Sequence, residues 1–259
     1  MLIGIINDIH EDLISLKKAI GIFEKKNCTE IICLGDIVGF DPNYHTHSDS
    51  RNASECINII KQNCRHIVAG NHDIYALDRH ALEFNNSNYE INYDNMDYHL
   101  KYHDLNYNDL PVKNFTVKDY EFIESLSFLS IAHFSEFIVL LSHSVFPDIS
   151  GKSLLRLSNP WEFSTHINFL KHHHCSFSLG GHQHPAGIIK SDNESIQLFD
   201  YAELPLNTKP VHYSLPNLVS TNGKSGVTII DFNSFTIEAI QISNNKNYWK
   251  KMNGWLKNK

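Results

Sequence analysis

The chain has 259 residues, of which 42% are hydrophobic and 20% are charged, and its formal net charge is -7. A chain of this size can bury roughly 70–75% of the surface that its unfolded form exposes, so one large α/β domain is expected. The mild acidic balance argues against a nucleic-acid-binding protein that relies on bulk electrostatic attraction, and no stretch approaches the roughly 20 apolar residues of a membrane span.

The pattern at the start of the chain predicts a parallel sheet. Apolar runs predict strands at 2–6, 31–34 and 66–69, and apolar residues at helical spacing predict helices at 12–26 and 52–62. Strands that alternate with helices form parallel sheets with right-handed crossovers. Because neighbouring parallel strands lie about 4.8 Å apart, side chains that follow them can meet in one pocket.

Polar side chains come directly after each of these strands. Asp8, Asp36 and Asn71 follow the first, second and third strand, at the end where open α/β sheets place their ligand sites. Gly35 permits a sharp turn before Asp36. An unpaired buried carboxylate costs several kcal/mol, so Asp36 needs a cation or a cluster of donors. For Asp36 alone, the alternative is a carboxylate that caps the next helix.

The middle of the chain changes character. Residues 85–109 are dense in Asn, Asp, Tyr and His and poor in aliphatic residues. We interpret them as part of a polar insertion or lid, at about 81–118, over the mouth of the site within a single domain that covers 1–259. Helices are predicted after this insertion at 119–129 and 161–173, with Pro160 at the start of the second.

The remaining strands are predicted from short apolar runs. Strands at 137–141 and 176–179 deliver His143 and the segment 180–184. The later runs predict antiparallel strands at 186–190, 196–199, 226–231 and 235–240. A tight turn at 233–234 suits the last pair.

Five short motifs stand at strand ends in chain order. They are Asp8-x-His10, Gly35-Asp36, Gly70-Asn71-His72-Asp73, His143 and Gly181-His182-x-His184. Together they resemble the calcineurin-like metallophosphoesterase superfamily, whose signature is DxH, GD, GNH[DE], H and GHxH. Each fragment is common by itself, but five in this order at strand ends form a specific signal. The resemblance spans residues 8–184 and implies an α/β fold of two face-to-face mixed β-sheets flanked by helices.

The resemblance also implies a site for two metal ions. The implied ligands are Asp8, His10 and His184 for the first ion, Asn71, His143 and His182 for the second, and Asp36 as a bridge. Carboxylate, amide and imidazole donors without a thiolate suit Mn, Fe, Zn, Ni or Co in the 2+ or 3+ state, and we favour Mn. Two cations about 3.5–4 Å apart need an anion between them, which explains the bridging carboxylate.

The implied activity is hydrolysis of phosphate monoesters or diesters by a metal-bound hydroxide. His72 would act as general acid to the leaving oxygen or as a phosphate-binding cation, and Asp73 would orient it through the other ring nitrogen. Protein Ser/Thr phosphatases of this superfamily carry GDxVDRG, in which the second Asp orients the catalytic histidine, but here Gly39 and Phe40 stand in place of that Asp and of the Arg. This departure weakens the protein-phosphatase hypothesis and favours the small prokaryotic-type branch.

The expected partner is a small phosphorylated substrate and no membrane is expected, while the net charge argues against nucleic acid and the oligomeric state stays open. The first alternative is a catalytically silent protein-binding scaffold on the same fold, although such scaffolds usually lose ligands and none is lost here. The second is a nuclease, which needs a basic groove that the charge does not support.

Other residue types receive ordinary interpretations. The five cysteines are odd in number and contain no CxxC pair, which is typical of a reduced intracellular protein. The N-terminal apolar run is too short for a signal peptide, and we expect a cytoplasmic location. We expect His45, His47, His99 and His103 to face solvent, with the lining of the substrate pocket as the alternative. Histidines 172–174 are expected to end a helix, where the dipole favours them.

Overall fold

The computed structural model describes residues 1–80, 107–151, 159–207, 209–219 and 224–244. Within these residues, twelve strands form two six-stranded sheets. The first sheet contains β1 (Leu2–Ile6), β2 (Glu30–Cys33), β3 (His66–Ile67), β9 (Glu203–Pro205), β11 (Lys224–Asp231) and β12 (Thr236–Asn244). The second contains β4 (Leu129–Phe134), β5 (Phe137–Ser142), β6 (Phe177–Gly180), β7 (Ile188–Ser191), β8 (Ile196–Phe199) and β10 (His212–Ser214). The described helices are α1 (Leu13–Lys25), α2 (Ala53–Asn63), α3 (Asn71–His80), α4 (Val117–Glu124) and α5 (Ser164–His172).

The first sheet contains the predicted parallel strands. Its order is β3-β2-β1-β11-β12-β9, and β1 pairs with β2, and β2 with β3, in parallel. The helices between these strands begin at side-chain caps: Asp12 accepts from the N–H of Ser15, and Asn52 accepts from the N–H of Glu55. The predicted arrangement of strand, helix and strand is therefore confirmed for this part of the chain.

The second sheet differs from the expectation in how it is assembled. Its order is β4-β5-β6-β10-β7-β8, with β5, β6 and β10 mutually parallel. The C-terminal antiparallel strands were expected to supply this sheet; β7 and β8 do so, but β11 and β12 extend the first sheet beside β1. The physical reason is that both faces of β11 are apolar: Ile230 packs between the two sheets, whereas Val227 and Ile229 pack against the helices on the other side of the first sheet.

The hydrophobic core lies in three layers. Ile3 and Ile5 of β1 face Val139 and Leu141 of β5 between the two sheets. On the other side of the first sheet, Phe23 of α1 packs in a second cluster with apolar residues of α2. A third cluster joins α5 to the outer face of the second sheet. The predicted fold class of two face-to-face mixed sheets flanked by helices is confirmed.

Some predicted elements change in extent. The helix predicted at 119–129 is the shorter α4, and the chain then enters β4, which the sequence pattern did not predict. The helix predicted at 161–173 starts as a 3-10 turn at Pro160–Phe163 before α5. Much of the predicted insertion at about 81–118 lies outside the described residues, so both the insertion and the single-domain organisation stay predictions. Among the described residues, no helix combines the length and apolar character that crossing a membrane requires.

Candidate metal centre

The loops after β1 and β2 are joined by a continuous set of backbone hydrogen bonds. The N–H groups of Ile9 and His10 both donate to the carbonyl of Asp36, at 2.8 and 2.9 Å. The backbone at Asp8, His10 and Asp36 has φ values of 53°, 46° and 53°. This left-handed conformation is unfavourable for residues with a side chain. Its clustering at the carboxyl ends of the parallel strands, a region called the rim below, is typical of functional sites.

Asp8, His10 and His184 form one group of candidate ligands. Nε2 of His184 lies 3.0 Å from Oδ1 of Asp8. Nδ1 of His10 donates to the carbonyl of Gly39 at 2.7 Å, which fixes the ring and leaves Nε2 as the candidate ligand atom. One ligand atom from each of the three residues lies within 4.8 Å of the others.

Asn71, His143 and His182 come together beside the first group. Nδ1 of His182 lies 2.9 Å from Oδ1 of Asn71, and the rings of His143 and His182 meet edge to face at 5.3 Å between centroids. Nδ1 of His143 donates to the carbonyl of Leu34 at 2.7 Å, so its Nε2 is turned inward. His143 and His182 follow β5 and β6 of the second sheet, whereas Asn71 begins α3, which comes after β3 of the first sheet.

Asp36 lies between the two groups. Its Oδ2 is 3.1 Å from Nε2 of His143 and 3.8 Å from Nε2 of His10. Its Oδ1 accepts from the N–H of His72 at 2.8 Å. Gly70 makes this approach possible, because a Cβ at that position would collide with Oδ1 of Asp36. One carboxylate thus touches candidate ligands of both groups, as a bridging ligand must.

The rim contains two buried carboxylates, those of Asp8 and Asp36, whose negative charge is favoured by nearby positive charge. Burial by itself raises the pKa of Asp8, but His184 and His143 outweigh burial and hold that pKa well below its usual range. Burial also raises the pKa of Asp36, and His143 outweighs it so that the net shift is downward. Burial lowers the pKa of His143, but the carboxylates of Asp36 and Asp8 raise it to about 10. Two buried carboxylates are therefore balanced by a protonated imidazole, in the place where cations could take over the same task.

The residues present fit divalent metal ions. Nε2 of His10 and Nε2 of His143 are buried, and neither makes an aligned hydrogen bond within the described part of the chain. Nε2 of His143 faces the Asp36 carboxylate at 3.1 Å, whereas Nε2 of His10 has no described atom to accept a hydrogen from, and this lost hydrogen bond costs free energy that coordination to a metal would remove. The structure brings all seven predicted ligands to one rim, and their role as ligands stays a prediction.

His72 and Asp73 occupy different surroundings, which corrects one expectation. Asp73 was expected to orient His72, but its carboxylate accepts from the N–H groups of Ile37, Val38 and Gly70 at 2.9–3.0 Å. Asp73 sits in the first turn of α3 and points back toward the loops after β2 and β3, so it cannot also reach the ring of His72. Burial, with Asp36 nearby, raises the pKa of Asp73 to about 7.

Two residues at the end of the insertion contact His72 instead. Oδ2 of Asp109 lies 2.6 Å from Nδ1 of His72, and the ring of Tyr107 stacks on the imidazole with centroids 4.5 Å apart. No sequence pattern marks either residue, because both lie in a polar segment without a motif. The available signal was Gly39, since a missing carboxylate there means that any partner of His72 must come from elsewhere.

The expectation that His45 and His47 face solvent is wrong. His45 is buried, with its ring 4.3 Å from that of His10 between centroids, and burial lowers its pKa to about 2. Nε2 of His47 donates to the carbonyl of His10 at 2.8 Å. Both rings pack around the loop that carries His10, so they support the rim. His99 and His103 lie outside the described residues.

Known proteins resemble this chain in sequence and in fold. A family model described as calcineurin-like phosphoesterase matches residues 1–186, a stretch that includes all five motifs. The uncharacterized protein MJ0912 of Methanocaldococcus jannaschii is 34% identical over 86 residues, which are 33% of this chain and only 31% of that protein.

Two solved structures are similar over nearly the whole chain. The metallophosphoesterase from Sphaerobacter thermophilus has a TM-score of 0.64 at 14% identity and covers 98% of this chain and 95% of its own. The hypothetical protein PH1004 from Pyrococcus horikoshii OT3 has a TM-score of 0.61 at 10% identity, with 99% and 93% covered. At these identities the likeness shows the fold, while the family model shows the membership. The chain belongs to the calcineurin-like phosphoesterase family.

Proposed function

We propose that this metal-dependent phosphoesterase holds two metal ions and hydrolyses a small phosphate monoester or diester. The observation that carries the proposal is the place of Asp36, whose Oδ2 lies 3.1 Å from His143 and 3.8 Å from His10. These two imidazoles belong to different ligand groups, so a single carboxylate oxygen lies within reach of both. Such a bridge is what two closely spaced cations need.

The first ion would be held by one set of side chains and the second by another. The proposed ligands are Asp8, His10 and His184 for the first, Asn71, His143 and His182 for the second, and Asp36 for both. Oxygen and imidazole donors suit Mn, Fe, Zn, Ni and Co, and Mn is the metal we would test first. When bound, the ions supply positive charge against the phosphoryl oxygens and make a water molecule acidic enough to act as nucleophile near neutral pH.

His72 is the proposed proton donor. Burial lowers its pKa, but the carboxylates of Asp36 and Asp109 outweigh burial and raise the pKa to about 9 in the metal-free protein. Nδ1 of His72 is directed at Asp109, so Nε2 is the ring nitrogen that remains to donate a proton to substrate. As the bond between phosphorus and the leaving oxygen breaks, its electron pair stays on that oxygen and takes this proton.

The complete ligand set argues against the silent scaffold. A vestigial pocket would be expected to have lost some of its buried metal-binding side chains, but Asp8, Asp36 and His143 are all present and fully buried. A small phosphorylated substrate and a cytoplasmic location are carried forward as proposals from the sequence.

An activity panel tests the proposal. Protein stripped of metal should hydrolyse neither p-nitrophenyl phosphate nor bis(p-nitrophenyl) phosphate, and activity on at least one of them should return when Mn is added. Zn, Ni, Co and Fe should be compared in parallel, with the metal content measured on the same samples. Metal-loaded protein that turns over neither ester would contradict the proposal.

A further inference from the structure

The chain returns from the insertion directly over His72. Asp109 places Oδ2 at 2.6 Å from Nδ1 of His72, and its side chain is almost completely buried. Its other oxygen, Oδ1, is also buried and makes no hydrogen bond to a described residue. This differs from Asp73, whose carboxylate receives three backbone N–H groups. In the described structure, the hydrogen bond of the Asp109 carboxylate goes to His72.

The backbone around Asp109 is fixed to the loop that follows β2. The N–H of Leu110 donates to the carbonyl of Phe40 at 2.9 Å, and these two residues form an antiparallel bridge. Arg79 of α3 donates through Nη1 to the backbone carbonyl of Asp109. Contacts on both sides therefore hold the carboxylate where it meets the ring.

Gly39 leaves the space that Asp109 needs. A Cβ at this position would lie 2.6 Å from Cβ of His72 and 2.8 Å from Oδ2 of Asp109. The φ of Gly39 is +91°, which also disfavours a side chain. A side chain at position 39 would therefore clash with the carboxylate of Asp109 in its place beside His72.

Tyr107 fixes the imidazole from its face. Its ring stacks on His72 at an interplanar angle of 28°, and its hydroxyl accepts from Nδ2 of Asn71 at 2.8 Å. The second contact turns Oδ1 of Asn71 toward His182. One short segment, 107–110, therefore contacts both the proposed proton donor and a proposed ligand.

We infer that Asp109 is the positioning residue for His72, supplied by the insertion rather than by the loop after β2. The inference rests on the proposed function, because it assigns Asp109 a part in the same hydrolysis. Nδ1–H of His72 donates to Asp109, and the carboxylate stabilises the ring while it is positively charged.

Hydrolysis of the ester forms one bond to phosphorus and breaks another. The oxygen of the attacking water forms the new bond to phosphorus and gives its proton to solvent. The bond to the leaving oxygen breaks, its electron pair stays on that oxygen, and Nε2 of His72 donates the proton. Solvent then returns a proton to Nε2, while the Nδ1 proton stays on the ring of His72 throughout and remains hydrogen-bonded to Asp109.

A series of leaving groups tests this inference in the metal-loaded protein. We compare aryl phosphate esters that run from the weakly basic p-nitrophenolate to the more basic phenolate, using Asp109→Asn and Asp109→Glu beside the unchanged chain. Asp109→Asn should lower kcat about 10–100-fold for the phenyl ester and much less for the p-nitrophenyl ester, because only a basic leaving oxygen needs the proton. Metal content and KM should change little, and Asp109→Glu should recover part of the rate.

Asp119→Asn is the matched control. Asp119 is a buried carboxylate that caps α4 through Thr116, and it has no described contact with His72. This variant should lower stability without steepening the dependence on the leaving group. Equal losses for all esters in Asp109→Asn would overturn the inference and leave Asp109 with a structural role.

Two further measurements keep the inference separate from the proposed function. In a His72→Ala background, Asp109→Asn should cost nothing more, because Asp109 acts through the missing ring; a further loss there would contradict the inference. In metal-free protein, a downfield imidazole N–H proton signal should vanish in His72→Ala and shift in Asp109→Asn. If the unchanged chain hydrolyses no ester with any metal, the proposed function fails, whereas this signal still reports whether the contact exists.

Discussion

His72 and Asp73 are neighbours in the sequence, yet the fold separates what they contact. The main-chain N–H of His72 donates to Asp36, and its ring faces Asp109 and Tyr107. The side chain of Asp73 points the other way, into backbone N–H groups of two loops. At the start of a helix, adjacent side chains diverge by about 100°. The ring of His72 can therefore face the proposed reaction site while the carboxylate of Asp73 stabilises the neighbouring loops.

Replacing His72 should separate chemistry from metal binding. His72→Ala should keep the metal content of the unchanged chain and lower kcat about 10²–10⁴-fold, the usual contribution of a positioned proton donor. Elemental analysis and steady-state kinetics on the same preparation check this. His133→Ala, at an exposed position of β4, is the control and should leave both unchanged. Full activity in His72→Ala would remove this residue from the mechanism.

Replacing Asp73 should act on stability instead. Asp73→Ala leaves three buried N–H groups without their acceptor, so the free energy of unfolding should fall by about 3 kcal/mol or more. Urea denaturation measures this loss. A variant that is as stable as the unchanged chain but turns over slowly would return Asp73 to the orienting role first expected of it.

At the scale of elements, a buried polar relay ties α5 to the second sheet. The N–H of Phe146 donates to Nδ1 of His166, so Nε2 of that ring must carry the hydrogen that it donates to Ser178. The hydroxyl of Ser178 can then donate to Nδ1 of His212 at 2.8 Å. One backbone N–H thereby sets the tautomers of two buried histidines beneath the strand that leads to His182.

Replacing Ser178, the middle residue of this relay, should lower the free energy of unfolding. Ser178→Ala leaves Nδ1 of His212 and Nε2–H of His166 without partners, and the free energy of unfolding should fall by about 1–3 kcal/mol. Ser191→Ala is the matched control, because that serine is equally buried and its hydroxyl has no hydrogen-bond partner in the described structure. Equal stability changes in urea for the two variants would contradict the relay.

The relay also predicts how stability depends on pH. Burial lowers the pKa of His212 from 6.5 to about 3, so the unfolded chain takes up this proton more readily than the folded chain does. The contribution of neutral His212 to the free energy of unfolding is therefore complete above pH 6.5 and is lost as the pH falls toward 3. Between pH 7 and 5, the loss from this residue is about 2 kcal/mol.

His212→Asn isolates this contribution. Its Oδ1 can replace Nδ1 as the acceptor but does not titrate near neutral pH. Unfolding of metal-free protein, measured from pH 7 to 5, should therefore weaken less steeply in the variant than in the unchanged chain. Parallel curves for the two proteins would show that His212 takes up no additional proton on unfolding.

The sequence was informative where a pattern is local. The strands near Asp8, Asp36 and His143 were predictable because a short apolar run ends directly at a polar motif. The strand β10 spans only His212–Ser214 and carries polar residues, so no apolar period marks it. The contact between Asp109 and His72 joins residues that lie 37 positions apart, and only the folded loops show it.

At the scale of the whole molecule, the rim is shared by the two sheets. Asp8, Asp36 and Asn71 follow strands of the first sheet, whereas His143, His182 and His184 follow strands of the second. The strand-end positions of these candidate ligands were predictable from the sequence, but the division of the later strands between the sheets was not, because strand pairing depends on contacts far apart in the chain. Ions bound at this rim would join the two sheets.

Metal binding should therefore stabilise the whole fold. A ligand that binds only the folded state adds about 2.7 kcal/mol to the free energy of unfolding when its free concentration is about 100 times its Kd. Thermal unfolding with Mn and with a chelator should show a higher Tm with Mn. The same comparison in His143→Ala should show a smaller rise, since one ligand is lost. An unchanged Tm at saturating Mn would count against a site in the folded chain.

The central claim is that one carboxylate holds two ions, and metal stoichiometry measures it most directly. Elemental analysis after loading with Mn and gel filtration should give two ions per chain for the unchanged protein. Asp36→Asn should lose most of this metal together with its activity, whereas Asp49→Asn, at an exposed position, should keep both. Retention of two tightly bound ions in Asp36→Asn would contradict the account.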